Sequence, residues 1–506
     1  MDCLLVRSFF VEGFLTFSII LQLLFNSFTL KNLKYNFPVF NKELFIQTIF
    51  ILLCLLFILL NINLETFFYN FLFINNSSIY LFKIIILIFC IFAIIIAYRS
   101  SLSQKINNLE FLTIVLLILF SSFLLISSYD LLSVYLALEM QSLCFYALAS
   151  FKKDSAASVE SGLKYFLLGS IASCFFLLGI SLLYGCFGTL NLNDLIVLLS
   201  FNVDNDFYKL NVLVFGACLL IISVFFFKVG AFPFHWWQPD VYEGAPLAST
   251  IILVMLPKIV FFGFLVKYIF LFIEHFGILK DFFLISGILT IFFGAFFAMQ
   301  QKRLKRFFIY SSIAQVGFLV ILLLTDFVDG YSFLYFFLII YLVSSTVIWI
   351  FYSVLFSART KISAFENKFN SQIFLTSLAN LFKKNKSWSF VFLVVFFSLA
   401  GIPPLGGFLA KMFVLFELLK NSYTFSTVII VLISVLSVYY YIRVVKILFF
   451  ETTKKSSNSL GLIEDNFIAS LEYLLVSGGV VFMSILVLSP NLLLLFSQKL
   501  SLCLIC

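Results

Sequence analysis

Residues 251–273 read IILVMLPKIVFFGFLVKYIFLFI, a long apolar run in which Lys258 and Lys267 are the only charged side chains. A helix of roughly 20 mostly apolar residues is long enough to cross the hydrocarbon core of a bilayer. Runs of this kind recur along the 506 residues, of which 63% are hydrophobic and 11% are charged. Soluble domains carry about 25% charged residues, so this chain lacks the side chains for a water-exposed surface. The sequence therefore predicts an all-α polytopic membrane protein, because a helix satisfies its own backbone hydrogen bonds in lipid.

Polar breaks between the apolar runs predict about fourteen transmembrane helices. The approximate centres of these spans are residues 18, 52, 88, 118, 140, 170, 225, 260, 290, 315, 343, 402, 435 and 483. Two spans are broken by proline, one at Pro233 and one at Pro403 and Pro404, and each follows a polar span, around Glu139 or Gln315, by about ninety residues. Broken helices at corresponding places in two halves are typical of transporters. We therefore predict two repeats of about five helices, inverted relative to each other.

The charged residues in the loops alternate in sign along the chain. Basic loops follow the odd-numbered spans, at Lys31, Lys34, Arg99, Lys105, Lys152, Lys153, Lys302, Arg303, Lys305, Arg306, Arg359, Lys361, Lys454 and Lys455. Acidic loops follow the even-numbered spans, at Asp130, Asp194, Asp204, Asp206, Asp326 and Asp329. The positive-inside rule places the basic loops on the cytoplasmic or matrix side, here named the inner side. The net charge of +8 thus reflects membrane orientation and not a nucleic-acid partner; Asp240 and Glu243 are exceptions to the pattern.

Ionisable side chains inside the apolar runs are the candidate functional residues, because burying a charge in hydrocarbon is costly. At about 1.5 Å of helix rise per residue, five of them fall near the middle of the bilayer: Glu139, Lys164, Lys228, Lys258 and Lys411. A nearby carboxylate stabilises the charged form of a buried lysine, and moving the carboxylate favours release of the proton. Groups of mixed sign at one depth therefore suit a proton relay. We interpret Glu160 and Lys267 differently, as members of structural ion pairs or as side chains that reach toward the surface.

The two histidines and nine cysteines give weak signals for a metal or redox centre. His235 follows the break at Pro233 beside Trp236 and Trp237, and tryptophan is enriched at membrane interfaces. His235 is therefore either part of an aqueous half-channel or a polar residue at the membrane edge. The cysteines mostly lie inside apolar runs, and Cys503 and Cys506 form one isolated CxxC pair. Haem and iron–sulfur clusters need several His or Cys ligands, so we expect no metal and no cofactor in this chain.

Four segments of the chain carry a specific resemblance to a known family. They are ALEMQSLCFYALASFKKDSAASVESGLKYFLLGS (137–170), FKVGAFPFHWWQPDVYEGAPLAST (227–250), QKRLKRFFIYSSIAQVGFL (301–319) and SLAGIPPLGGFLAKMFVL (398–415). In this order, over roughly residues 105–450, they resemble subunit 2 of respiratory complex I (NADH:ubiquinone oxidoreductase), called the N subunit in bacteria. The long form of that family has fourteen spans, with two inverted five-helix repeats and two broken helices. The resemblance implies four segments: N-terminal helices in 1–104, antiporter-like repeats in 105–275 and 276–450, and a C-terminal loop and last helix in 451–506.

The resemblance also implies roles for the candidate residues. Glu139 is similar to the carboxylate of the family's fifth span, and Lys164 to a modulating lysine of the sixth. Lys228 is similar to the lysine beside the first break, Lys258 to the central lysine of the next span, and Lys411 to the lysine after the second break. In the family these residues form a hydrated polar axis that couples quinone reduction to proton transfer. FMN, the iron–sulfur clusters and ubiquinone belong to other subunits of that complex.

The implied partners are other complex I membrane-arm subunits, including neighbouring antiporter-like subunits, and lipids such as cardiolipin. Phe (73 residues), Ile, Leu, Asn and Lys are abundant, and all can be encoded by A/T-rich codons. This composition favours an organellar genome, so we expect a multi-pass protein of the mitochondrial inner membrane, with the bacterial plasma membrane as the alternative. The residues leave two other functions open: a cation/proton antiporter outside complex I, whose subunits share this fold, and a structural scaffold that moves no protons.

Overall fold

The structure is a computed structural model, which describes residues 10–32, 42–61, 66–68, 72–104, 106, 108–201, 208–273, 276–325, 329–366, 373–379, 381–451 and 467–505. Within these residues the regular structure is helical apart from isolated bridges and one short hairpin of β1 (Thr66–Phe68) and β2 (Phe73–Asn75). The two strands are antiparallel, with Phe67 opposite Ile74. The nearly all-helical fold predicted from the apolar runs is confirmed.

The helices follow the apolar runs of the sequence. In chain order they are α1 (Phe10–Asn32), α2 (Lys42–Asn61), α3 (Ser77–Gln104), α4 (Asn108–Ser127), α5 (Leu131–Ala149), α6 (Ala156–Phe187), α7 (Leu192–Phe201), α8 (Tyr208–Val229), α9 (Trp237–Gly244), α10 (Leu247–Ile273), α11 (Gly277–Gln300), α12 (Leu304–Leu322), α13 (Asp329–Glu366), α14 (Leu381–Lys384), α15 (Lys386–Ala400), α16 (Gly406–Lys420), α17 (Thr424–Phe449), α18 (Phe467–Leu488) and α19 (Pro490–Ile505). A 3-10 helix, Leu375–Leu378, precedes α14.

Thirteen helices in the described residues are long and apolar enough to cross a membrane. The predicted span near residue 402 is not among them because it is divided into α15 and α16, of 15 residues each. Each half is about 22 Å long at 1.5 Å per residue, and only the two together exceed the roughly 30 Å hydrocarbon core. Taken as one broken helix, they bring the number of crossings to fourteen. The other predicted break separates α8 from α9.

Helix α10 lies at the centre of the bundle. Its span Leu247–Tyr268 is buried except at Lys267, against α3, α4, α8 and α13. Helix α6 lies at the periphery, where only 33% of its span is buried and Leu163, Leu167 and Ile171 are exposed. Lipid tails are as apolar as these side chains, so the exposed face of α6 suits the bilayer or another membrane subunit.

The loops that follow even-numbered spans gather at one end of the bundle. The backbone N–H of Tyr129 donates to the carbonyl of Leu72 (2.9 Å), and the N–H of Leu192 donates to the carbonyl of Tyr129 (3.1 Å). Lys420, at the end of α16, forms an ion pair with Asp329, at the start of α13 (2.9 Å). Acidic loops therefore share one end, here named the outer end.

The loops that follow odd-numbered spans gather at the opposite, inner end. The N–H of Leu375 donates to the carbonyl of Lys302 (2.9 Å), and Arg443 Nη1 donates to the carbonyl of Met299 (2.8 Å). The first contact joins the segments that follow spans 9 and 11. The second joins the end of span 9 to the last part of span 13. Several predicted loop charges lie outside the described residues: Lys34, Lys105, Asp204, Asp206, Asp326, Lys454 and Lys455, and so does Cys506.

Asp240 and Glu243, the exceptions to the charge pattern, lie on α9 at the inner end. Glu243 forms ion pairs with Arg303 (2.7 Å) and with Arg306, and Asp240 forms one with Arg306 (2.5 Å). Lys305 Nζ donates to the backbone carbonyl of Glu243 (3.2 Å). The two acidic side chains are thus neutralised by basic residues at the start of α12, at the same end of the bundle. They therefore do not contradict the topology.

The segment from Ile373 to Lys384 differs from its sequence pattern. The spacing of its apolar residues beside lysines predicts one amphipathic helix in the membrane interface. The structure has instead a 3-10 helix, Leu375–Leu378, followed by the one-turn helix α14. The reason is a tertiary contact: Ile373 accepts a hydrogen bond from the N–H of Leu304 (2.9 Å) and Phe374 bridges to Arg303, which holds this backbone extended.

Cysteine labelling tests the position of the two ends. A membrane-impermeant thiol reagent should modify Lys302→Cys only from the inner side and Ser422→Cys only from the outer side. Both native side chains are exposed and lie in loops at opposite ends of the bundle. The chain without either substitution gives the background from native cysteines. Modification of both variants from one side would contradict the fourteen-crossing topology.

Candidate functional site

Both broken helices end their first half in the same way. Gly230 (φ 79°) follows α8 and Gly401 (φ 82°) follows α15. Glycine adopts this left-handed conformation without steric cost. At each position the next N–H then donates back to the carbonyl five residues earlier, at Phe226 (2.9 Å) and Phe397 (3.0 Å), as in a Schellman helix end. The two interruptions predicted from proline are therefore locally equivalent.

Each break also exposes the last carbonyl of the first half-helix, and a side chain from beyond the break binds it. Gln238 Nε2 donates to the carbonyl of Val229 (2.9 Å). Lys411 Nζ donates to the carbonyl of Ala400 (2.8 Å). A carbonyl without a partner at membrane depth is costly, so both contacts stabilise the breaks. The first break uses a neutral amide, whereas the second uses an amine that can carry charge.

Lys228 lies on the last turn of α8, immediately before the first break. Its side chain is buried, and its Nζ lies 5.7 Å from the centre of the Tyr146 ring on α5. Glu139, on the same helix α5, is the carboxylate whose charge acts on Lys228. Ser142 Oγ lies 3.5 Å from Glu139 Oε2. The structure thus brings Glu139 and Lys228 into one electrostatic neighbourhood around Tyr146, as their shared depth predicts.

Lys258, on the central helix α10, is 1% exposed. Its Nζ donates to the hydroxyl of Tyr341 on α13 (2.6 Å) and lies 4.6 Å from the centre of that ring. An ammonium group is stabilised by both a hydroxyl acceptor and an aromatic face. Tyr341 is therefore the direct polar partner of the central lysine.

A row of polar side chains continues from Tyr341 along α12. Ser312 lies beside the Tyr341 hydroxyl. Ser311 and Gln315 lie near Tyr441 of α17, whose hydroxyl has no hydrogen-bond partner of ordinary geometry among the described residues. All of these side chains are buried, and a hydroxyl or amide can both donate and accept a hydrogen bond. The row, defined by Tyr341, Ser311, Ser312, Gln315 and Tyr441, thus extends from the central lysine into the second half of the chain.

The row reaches Lys411 at the second break. Gln315 Nε2 donates to the carbonyl of Leu399 (3.3 Å), and the next carbonyl, of Ala400, accepts from Lys411 (2.8 Å). Lys411 also donates to Ser437 Oγ of α17 (3.2 Å). Lys258 and Lys411 are therefore two ends of one buried series of polar groups, in which the backbone carbonyls of Leu399 and Ala400 form the last link.

Lys164 lies apart from this row, at the inner end. Its Nζ pairs with Glu160 (2.7 Å) and lies 3.8 Å from Asp240, and its side chain is 46% exposed. Through Asp240 it joins the ion pairs of Arg303 and Arg306. The structure therefore brings Lys164 together with the first residues of α9 and α12 and not with Lys228.

His235 occupies the first break and is 1% exposed. Its ring centroid lies 5.8 Å from that of Phe232, 4.7 Å from Trp236 and 5.9 Å from Phe293. Neither ring nitrogen has a hydrogen-bond partner in the described part of the chain. His235 is thus a buried polar group in an aromatic pocket, separate from the row between Lys258 and Lys411.

Two members of the row, Tyr341 and Tyr441, are not identifiable from the sequence. The chain holds 22 tyrosines, and a tyrosine in an apolar run is usually part of the packing. The available signal was the absence of an acidic residue near Lys258 in sequence, since a buried ammonium requires some polar partner.

Comparison with known proteins identifies the family. Residues 128–437 match the family described as "NADH:quinone oxidoreductase/Mrp antiporter, TM". The chain belongs to this family. The matched range includes Glu139, Lys228, Lys258 and Lys411, together with both broken helices.

Individual relatives are similar over most of the chain. The NADH-quinone oxidoreductase subunit N of Francisella tularensis subsp. holarctica is 34% identical over 378 residues, 74% of this chain and 75% of the relative. The NADH-ubiquinone oxidoreductase chain 2 of Marchantia polymorpha is 34% identical over 386 residues, 76% of each chain. A chain of respiratory complex I from Thermus thermophilus has the same fold, with a TM-score of 0.74, 24% identity, and coverage of 96% of this chain and 98% of that one.

Removing the Tyr341 hydroxyl tests the row. Tyr341→Phe keeps the ring but takes the hydroxyl from Lys258, and a hydrogen bond to a charged group contributes about 1.5–3 kcal/mol. We expect the assembled complex in proteoliposomes to move fewer protons per electron. Tyr335→Phe, on the same helix, is the matched control, because the buried Tyr335 hydroxyl has no hydrogen-bond partner in the described residues. Equal proton ratios in the two variants would show that the Tyr341 hydroxyl is dispensable.

Proposed function

We propose that this chain is a proton-translocating membrane-arm subunit of a respiratory NADH:quinone oxidoreductase, and that quinone reduction elsewhere in the complex drives proton transfer through it. The observation that carries the proposal is the buried series from Lys258 through Tyr341 and Gln315 to Lys411. Family membership adds to it, because the relatives from Francisella and Marchantia are subunits of such oxidoreductases.

The first half of the chain supplies a charge switch. The Glu139 carboxylate stabilises the protonated form of Lys228 when it is near, and its displacement or protonation favours release of the proton. Because the Tyr146 ring of α5 lies 5.7 Å from Lys228 Nζ of α8, a small shift of α5 relative to α8 changes this interaction. The proton released by Lys228 passes toward Lys258 through water, since the first break lies at membrane depth and such breaks are tolerated beside hydrated cavities.

The second half supplies the relay. Lys258 gives its proton to the Tyr341 hydroxyl oxygen while the Tyr341 proton passes to Ser312, so that the tyrosine is never left ionised. Ser311, Gln315 and Tyr441 continue the exchange with ordered water between them. Lys411 receives the proton at the second break and releases it toward the outer end. Lys164 and its partners modulate the inner end, and His235 borders an aqueous half-channel when water enters its aromatic pocket at the first break.

The chemistry proposed for this chain is proton transfer alone, as a non-redox subunit of an H+-translocating NADH:ubiquinone reductase. FMN, iron–sulfur clusters and ubiquinone are held by other subunits. The proposed partners are the other membrane-arm subunits, including further antiporter-like ones, with cardiolipin among the surrounding lipids. The exposed apolar face of α6 supports contacts of this kind.

The proposed location is the mitochondrial inner membrane, with mitochondrial encoding of the chain. The abundance of residues with A/T-rich codons supports this, and a plant chain 2 is among the relatives. The alternative is a bacterial plasma membrane, which the Francisella relative supports. Mass spectrometry of the native complex that contains this chain decides between them, because the accompanying subunits differ.

A cation/proton antiporter is the second candidate function, because the matched family includes Mrp antiporters. The two candidates differ in their partners. A complex I subunit co-purifies with flavin and iron–sulfur proteins and pumps only during NADH oxidation, whereas an antiporter exchanges protons for cations in vesicles without an electron donor.

Substitution of Glu139 tests the charge switch. Glu139→Gln keeps the shape of the side chain but cannot ionise, so we expect an assembled complex with at least a severalfold lower proton-per-electron ratio. Glu139→Asp keeps the charge on a shorter side chain and should retain part of the function. The measurement is proton uptake in proteoliposomes, normalised to assembled complex. A normal ratio in Glu139→Gln would contradict the switch.

Substitution of Lys411 distinguishes a proton carrier from a fixed charge. Arg at this position keeps the positive charge and can still bind the Ala400 carbonyl, but its pKa exceeds about 12 and it does not release a proton. Lys411→Arg and Lys411→Ala should therefore both lower the proton ratio of assembled complex. If Lys411→Arg pumps normally while Lys411→Ala does not, Lys411 is a structural cation at the break.

A further inference from the structure

A second cluster of buried charges lies at the outer end of the bundle, apart from the row between Lys258 and Lys411. Lys83 Nζ, on α3, pairs with Glu12 Oε1 of α1 (2.5 Å) and donates to Oδ1 of Asn75 at the end of β2 (2.6 Å). All three residues are 0% exposed. The other carboxylate oxygen of Glu12, Oε2, has no hydrogen-bond partner among the described residues.

Lys267 adds a second ammonium group to this cluster from α10. Its Nζ donates to the backbone carbonyls of Ile126 (3.0 Å) and Ser128 (3.3 Å) at the end of α4. The charge of Lys83 acts on Lys267. Among the described side chains no carboxylate forms an ion pair with Lys267. With both lysines protonated, the cluster contains two ammonium groups and one carboxylate, and thus one positive charge in excess.

The groups around Lys267 lead to the outer surface. Its Nζ lies 5.6 Å from the centre of the Tyr129 ring. The Tyr129 hydroxyl contacts Asn193, and the charge of Asp194 acts on that tyrosine. The Lys267 side chain is partly exposed, whereas Lys83 is enclosed and faces Tyr80 (5.6 Å to the ring centre). Lys267 is thus the member of the cluster that is only partly buried.

The cluster is attached to the helix that carries the central lysine. Lys258 and Lys267 are nine residues apart on α10, which is about 13.5 Å at 1.5 Å per residue. Phe82, next to Lys83, packs against Gly263 of α10 and against Tyr335 of α13 (4.9 Å between ring centroids). The central lysine, Lys258, and one member of the outer cluster, Lys267, therefore lie on the same helix.

We propose that Lys267, together with the buried pair of Lys83 and Glu12, forms a proton-release site through which Lys258 discharges to the outer side. The proposal rests on the proposed function, because it needs Lys258 to carry a proton. It adds an outward branch that does not pass through Lys411.

Charge balance explains why the cluster exchanges one proton. A proton leaves the Lys267 ammonium for water at the outer surface, and the N–H electron pair stays on the nitrogen. The remaining Lys83 ammonium and Glu12 carboxylate then sum to zero charge, which is the less costly state for a buried group. Residues 259–266 of α10 have no side chain that could carry a proton, so a proton arrives from Lys258 through water. It restores the excess charge, and repulsion by Lys83 favours its release. Glu12 and Lys83 keep their own charges throughout.

The first test uses Lys267→Arg in the intact complex, reconstituted in proteoliposomes. Arg keeps the positive charge and can bind the Ile126 and Ser128 carbonyls, but it does not release a proton. We expect normal assembly and a lower proton-per-electron ratio, with a loss no larger than that of Lys258→Ala. Lys280→Arg, at the outer end of α11 and outside the cluster, is the matched control and should keep the normal ratio. A normal ratio in assembled Lys267→Arg overturns the proposal.

The second test gives a result even where Lys267→Arg assembles poorly. In Lys267→Cys, outside addition of 2-aminoethyl methanethiosulfonate creates a side chain with a releasable proton, and the trimethylammonium analogue creates a fixed charge. The proposal predicts recovery of the proton ratio with the first reagent only, measured against the same treatment of the unsubstituted complex. Recovery with both reagents, or a normal ratio before treatment, overturns it.

These tests can contradict the release site without contradicting the proposed function. A normal proton ratio in Lys258→Ala would contradict the relay as a whole. A reduced ratio in Lys258→Ala with a normal ratio in Lys267→Arg would remove the release site alone. In that case the buried pair serves only to attach α1 to α3, and the double variant Glu12→Gln, Lys83→Met should reduce assembly and leave pumping by the assembled fraction unchanged.

Discussion

The structure depends on one constraint: a charge or an open backbone carbonyl inside the bilayer must find its partner within the protein. Water is absent from the hydrocarbon core, so an unpaired polar group there costs several kcal/mol. Three side chains in the described residues show how this constraint is met. Lys258 is bound by Tyr341, Lys411 binds the carbonyl that its own broken helix exposes, and Gln238 does the same at the first break. Two of these three side chains, Lys258 and Lys411, can also exchange protons.

The sequence predicts much of this arrangement because several of its signals are local. Apolar runs set the spans, proline and glycine set the two breaks, and the helix rise places Glu139, Lys228, Lys258 and Lys411 at one depth. The inverted relation of the two halves remains a prediction, although Gly230 and Gly401 end their helices alike.

Partners across the bundle could not be predicted in the same way. Lys258 and Tyr341 are 83 residues apart, and Gln315 and Leu399 are 84 apart, so their contacts depend on how helices pack. The pairing of Lys164 with Asp240 depends on the position of α9, which turns back against α6 after the break. Depth along a helix is readable from spacing, whereas direction around the helix axis requires the packed structure.

The two breaks share a backbone geometry but differ in the chemistry of the group that closes them. The amide of Gln238 is neutral in every protonation state, so the hydrogen bond that closes the first break does not depend on the membrane potential. The amine of Lys411 carries charge only when protonated, and moving one elementary charge through the full potential changes the energy by about 2.3 kcal/mol per 100 mV. The closing hydrogen bond is therefore insensitive to the potential at the first break, whereas at the second break its strength depends on the energised state of the membrane. The two halves therefore cannot behave as mechanical equivalents, although Gly230 and Gly401 end their helices alike.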